Sequence, residues 1–175
     1  MNYAEQLLVA HSRANADLVL NHVLEDESRV PDLLDVFLGG QYRTVQRSAM
    51  VVGDLGRLRP AWLKPWHGRI IAAANTPDVH DAVKRNVMRY FSELPITNIG
   101  EDDEGHLVDL AFRLGADHQE AVAIRVFALS TVNNYVKKYP ELKDELRGVI
   151  EFTIAEGTTA AFLGRGNKIL KELGT

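Results

Sequence analysis

Apolar residues recur along this chain in a helical pattern that itself repeats. Val45, Ala49 and Val52 are followed by Val83, Val87 and Tyr90, and then by Val122, Val126 and Leu129. Within each set, positions i, i+4 and i+7 share one face of a helix. The leading valines step by 38 residues (45 to 83) and by 39 (83 to 122). A period of that length, one helix pair per repeat, predicts a stacked α-solenoid. A single pair cannot bury its own apolar face, so neighbours must complete the core.

The residues between these segments read as helix punctuation. Ser28 is placed to cap a helix running through Pro31 and stopping at Gly39-Gly40, and a second helix is predicted from about Gln41 to Arg57, ahead of Pro60. Thr76-Pro77 has the form of an N-cap followed by proline at the first helical position, and that helix should close at Leu94-Pro95. Asp117-His-Gln-Glu120 has the form of a capping box before a helix ending at Tyr139-Pro140, and Gly157-Thr158 separates the last two helical segments. No segment alternates long enough, between hairpin turns, to predict a strand.

The expected fold is therefore all-α: a right-handed α-α superhelix of about four helix pairs in one solenoid domain over 1–175. Residues 1–27 form an N-terminal cap, followed by units 28–58, 60–95 and 101–139 and a degenerate unit 140–173. The recurring motif lies on the second, or B, helix of each unit. The last B helix lacks it and carries Gly164 and Gly166, each costing about 1 kcal/mol relative to alanine.

The motif resembles that of HEAT and armadillo repeat proteins. Val45, Arg47, Ala49, Val52, Gly53 and Leu55 match the B-helix pattern best, then Val83, Arg85, Val87 and Leu94, then Val122, Arg125 and Val126. The acid that often accompanies the arginine is present only as Asp81 or Glu120. The resemblance implies a scaffold or adaptor, although some members of that class bind or repair DNA. Fold alone does not choose between them.

Composition narrows the classes further. At 46% apolar and 25% charged residues the chain is ordinary globular material, with no apolar run of membrane-spanning length and no secretory leader pattern at Met1–Gln6. The absence of cysteine removes disulfides, thiolate metal sites and a cysteine nucleophile, and agrees with a cytoplasmic protein. Charge is segregated: the net values are −5 over 1–40, +6 over 41–90, −7 over 91–120 and +2 over 121–175. A solenoid turns such blocks into surface patches. The basic block would draw an anionic partner, while a pI near 5.9 argues against nucleic acid for the whole chain.

The candidate binding residues are Arg43, Arg47, Arg85, Arg89 and Arg125, with Trp62 and Trp66. The B-helix arginines could meet carboxylate or phosphate in bidentate fashion. The favoured reading of these arginines is structural, each tying adjacent repeats together through Asp54, Asp81 or Glu120. The tryptophans, flanked by Arg57, Arg59, Lys64 and Arg69, could stack on bases or fill a groove between helices. His11 and His22 lie eleven residues apart, too far to chelate a metal together. The Glu101–Glu104 run lacks the ligand spacing of a calcium loop and suits a helix N-terminus. Gly53-Asp-Leu-Gly56 and Gly164-Arg-Gly166 are not phosphate loops, and no nucleophile elbow occurs.

These observations call for no metal and no cofactor. They favour a non-enzymatic scaffold that binds a protein partner through its B-helix face. A nucleic-acid-binding or DNA-alkylation-repair-like protein using the central basic patch is the alternative, and self-association through solenoid ends or faces is a third reading.

Overall fold

The computed structural model describes residues 1–174, and among them every regular element is a helix. Two compact units divide the chain, Met1–Tyr90 and the part from Phe91 onward, with the division inside one helix.

The first unit holds α1 (Tyr3–Val9), α2 (Arg13–Leu24), α3 (Val30–Gly39), α4 (Tyr42–Leu58), the short α5 (Pro60–Leu63), α6 (His67–Ala74) and most of α7 (Asp81–Glu93). Asn2 and Ser12 cap α1 and α2 by accepting the amides of Glu5 and Asn15, both at 3.2 Å. Helix α4 is the hub, packing against α1, α2, α3 and α5. Its motif face is buried at Ala49, Val52 and Leu55, while the leading Val45 is half-buried.

One feature of α4 sets the spacing of this unit. A Cβ on Gly53 would lie 3.2 Å from the Asn86 Cβ, and one on Gly56 would lie 2.6 Å from the Tyr90 ring. The Gly53-x-x-Gly56 pair thus lets α7 approach the backbone of α4 directly. The Tyr90 ring covers Gly56, and its hydroxyl makes a 2.7 Å buried hydrogen bond with His67 Nε2 on α6. Desolvation, with a smaller contribution from Lys64, lowers the His67 pKa to about 4, so the ring is neutral at pH 7.

The second unit contains α8 (Glu101–Ala116), α9 (Val122–Tyr135), α10 (Leu142–Ala155) and α11 (Ala160–Leu173). Helix α9 packs against the other three, and burial extends around most of its circumference. The break between α10 and α11 falls where expected: Gly157 adopts φ 91° and Thr159 caps α11 by accepting the Phe162 amide. A Cβ on Gly166 would sit 3.0 Å from Ile150, so this glycine marks a close helix contact, whereas Gly164 faces open space.

Three predicted caps are corrected. Ser28 does not cap α3; Asp26 accepts the Ser28 amide and opens a 3₁₀ turn at Glu27–Arg29 that leads into the helix. Thr76-Pro77 does not start α7: the Thr76 hydroxyl donates to Ala72 O at the end of α6. The helix begins at Asp81, with His80 Nδ1 accepting the Ala82 amide at 2.9 Å. Asp117 accepts the Gln119 amide in a local turn, and α9 begins only at Val122, with no side-chain cap at Ala121. At Thr76 and Asp117 a short polar side chain finds a nearer backbone partner than the helix it seemed to open.

Two outcomes follow for stability. Gly56→Ala should cost about 1–3 kcal/mol by forcing Tyr90 and Leu63 apart. Gly164→Ala, with its open surroundings, should add about 0.5–1 kcal/mol, so the two alanines should move the urea midpoint in opposite directions. His67 gives a pH dependence of known sign. Its folded pKa of about 4 lies below the ordinary 6.5, so its contribution is complete above pH 6.5 and is lost as pH falls towards 4. The loss is about 3 kcal/mol. His67→Gln should flatten that part of the profile in urea titrations at pH 7.5, 6 and 5; an unchanged acid slope would show that His67 does not cause it.

Candidate functional site

The sequence candidates separate into three environments. Arg43 and Arg47 stand one turn apart on α4, and Arg85 and Arg89 one turn apart on α7. Arg47 and Arg85 line the same cleft, of about 60 Å³, between the α1–α2 turn, α4 and α7. His11, Ser12, Asn15, Gln46, Met50, Ala82 and Asn86 contribute to its wall, and no carboxylate lines it.

The two arginines of the cleft differ in how firmly they are held. Arg47 is half-buried, and its Nη1 donates to Leu7 O at 2.8 Å, in the last turn of α1. A guanidinium there satisfies a helix C-terminal carbonyl and complements the negative end of the helix dipole. Arg85 is exposed, and its side chain makes no hydrogen bond or ion pair with a described residue. Asn15 supports the wall: its amide donates to Gln6 O and Ala10 O, and its Oδ1 accepts from Gln6 Nε2 at 2.7 Å.

Two of the three acids that the sequence offers as arginine partners pair with other basic residues. Asp54 accepts from Arg13 at 2.7 Å and from Arg57 at 2.8 Å, while Asp81 pairs with Lys84 at 3.5 Å. The inter-element tie made by Arg47 therefore runs to a backbone carbonyl rather than to a carboxylate. Arg43 is exposed at the start of α4, and Arg89 is half-buried on α7.

Arg125 does not belong to a binding face. It is 5% exposed, its Nε donates to Gly115 O at 3.1 Å and its Nη2 to Thr153 Oγ1 at 2.9 Å. The guanidinium also lies 4.8 Å from the Phe162 ring centroid. Burial lowers its pKa from the ordinary guanidinium value. Arg125 is an internal clamp joining α8, α9, α10 and α11, and no partner can reach it.

Trp62 and Trp66 are half-buried in the α5–α6 segment, and neither lines the cleft. Arg59 lies 5.8 Å from the Trp62 ring and Arg69 5.0 Å from that of Trp66. Each ring thus has a cationic neighbour within cation–π range.

Another polar cluster was not foreseen from the sequence. Glu104, buried near the start of α8, accepts from Lys138 Nζ at 2.6 Å and from the Tyr139 hydroxyl at 2.7 Å. Burial pushes its carboxyl up, but the two hydrogen bonds outweigh that and hold it below the ordinary range. The sequence signal was its i+3 spacing from Glu101 within an acidic first turn, which reads equally as helix-end charge. Among the described residues no group of three His, Asp or Glu side chains is placed to hold a metal ion, and no helix is long and apolar enough to cross a membrane.

The different settings of the arginines have a measurable consequence. Arg125→Met should destabilise the protein by about 2–3 kcal/mol, because the Gly115 carbonyl loses a charged donor inside the fold. Arg43→Met should stay within about 0.5 kcal/mol of the parent, as exposed positions generally do. Thermal unfolding of both variants checks the contrast, and equal melting temperatures would contradict it.

No curated protein and no solved structure matches the chain. The HEAT repeat domain matches residues 3–173, nearly the whole sequence and every α-helix described above. With its helix pairs, its recurring B-helix motif and that match, this chain belongs to the HEAT repeat domain family.

Proposed function

We propose that this protein is a non-enzymatic adaptor that receives an acidic segment of a partner protein on the α4–α7 face. HEAT repeats are helical scaffolds that commonly mediate protein interactions, and the reading starts from that property. The observation that carries it is the cleft holding Arg47 and Arg85 without a carboxylate in its lining. Arg43 and Arg89 extend the positive character by one turn on each helix.

The mechanism is recognition on a preformed surface. Arg47 is already fixed by Leu7 O, so little side-chain entropy is lost when an anion arrives. Arg85 supplies a guanidinium that can form paired hydrogen bonds with a carboxylate. Net charge of −4 disfavours a polyanion as large as nucleic acid, whereas a short acidic segment need meet only the local basic block. A cysteine-free sequence agrees with a partner in the cytoplasm.

The test is binding of a fluorescent oligoglutamate peptide at fixed ionic strength, followed by anisotropy. Arg43→Glu combined with Arg85→Glu should weaken binding at least tenfold while helical circular dichroism is retained. Unchanged affinity in that folded double variant would remove the α4–α7 face from the reading.

A further inference from the structure

The cleft's size and lining specify more than a general affinity for acidic protein. We infer that it is a socket for a single carboxylate side chain, the anchor point of the acidic segment. This rests on the adaptor reading and adds to it the chemical group bound and the place where it sits.

Volume is the first argument. About 60 Å³ is ample for an ordered water, which needs roughly 10–15 Å³ of probe-occupied space. That accommodates the head of an aspartate or glutamate. With Trp62 and Trp66 outside the lining, the cleft lacks the aromatic platform on which a base would stack.

Chemistry is the second. Arg47 and Arg85 bring charge from two different helices, while Gln46 and Asn86 bring amide groups from the same two helices. The Gln46 side chain makes no hydrogen bond with another described residue, so its donors are available. The protein's own nearby acids do not occupy the socket: Asp54 is held by Arg13 and Arg57, and Asp81 by Lys84. A planar carboxylate matches the fork of a guanidinium, and bonds to an ionised acceptor are stronger than those to a neutral one.

The third argument is construction. Leu7 O fixes Arg47, and the hydrogen bonds of Asn15 tie the α1–α2 turn that lines the cleft beside it. Arg85 is the one cleft guanidinium without a partner among the described residues, and we assign it the direct contact.

Oligoglutamate and decathymidylate, compared at equal ionic strength, provide the test. On the unaltered protein, the Arg85 Nε–Hε resonance should shift saturably with oligoglutamate, following the same binding curve as anisotropy. Ala82→Phe should fill the cleft without changing any charge and weaken the peptide at least tenfold, with helical content kept. Saturable peptide binding with no Arg85 shift, or with full affinity in Ala82→Phe, would overturn the socket while leaving the adaptor reading intact. Loss of binding in the Arg43→Glu, Arg85→Glu variant alone would then place the contact on the outer face. Tighter binding of decathymidylate than of oligoglutamate would overturn the carboxylate assignment.

Discussion

The first unit depends on how closely α7 can approach α4. Gly53 and Gly56 remove two side chains from the contact, and Asn86 and Tyr90 occupy the space. That approach buries the Tyr90 ring and brings its hydroxyl to His67, where a neutral imidazole completes a hydrogen bond inside the core. Further along the same two helices it brings Arg47 and Arg85 to one cleft. Packing and the proposed binding chemistry therefore share one constraint. A bulkier residue at Gly53 or Gly56 would change both.

The three motif arginines show how one sequence feature acquires three roles. Arg47 and Arg85 follow their leading valine by two positions, while Arg125 follows by three. One residue along a helix is a rotation of about 100°. That difference separates the rim of a cleft from the middle of a four-helix contact. Arg125 accordingly finds Gly115 O, Thr153 and Phe162 around it. Ile124, Ala128 and Leu129 are buried beside it, while Val122 and Val126 are only half-buried. The apolar period survived the shift because α9 is surrounded and has no single inward face.

Helices and their order were legible because apolar spacing and glycine–proline punctuation are local properties. The breaks at Gly39-Gly40 and Gly157 follow directly from them. Caps were less legible, since Ser28, Thr76 and Asp117 each have several backbone groups within reach. Which one wins depends on the turn that the rest of the unit imposes. His80 as the cap of α7 had no sequence signal, because an imidazole acceptor is not among the usual capping residues. Of the candidate site, Arg47 and Arg85 could be named but their shared cleft could not, for it is created by a contact between helices far apart in sequence. The pairing of Lys138 and Tyr139 with Glu104 is hidden for the same reason.

An acidic protein can keep a basic cleft open only if its own carboxylates are held away from it. Here that is done by local pairing. Arg13 bridges Asp17 and Asp54, Arg57 adds a second contact to Asp54, and Lys84 holds Asp81. Exposed pairs of this kind contribute little to stability. In the proposed reading their larger effect is on specificity: Asp54 and Asp81, on the same two helices as the cleft arginines, are already paired, and Arg85 keeps its hydrogen-bonding capacity. On that reading the same pairs also lower the cost of approach for an incoming carboxylate, which meets fewer free negative charges at Asp54 and Asp81. Segregated charge in the sequence thus becomes a local electrostatic preference that the overall net charge of −4 conceals.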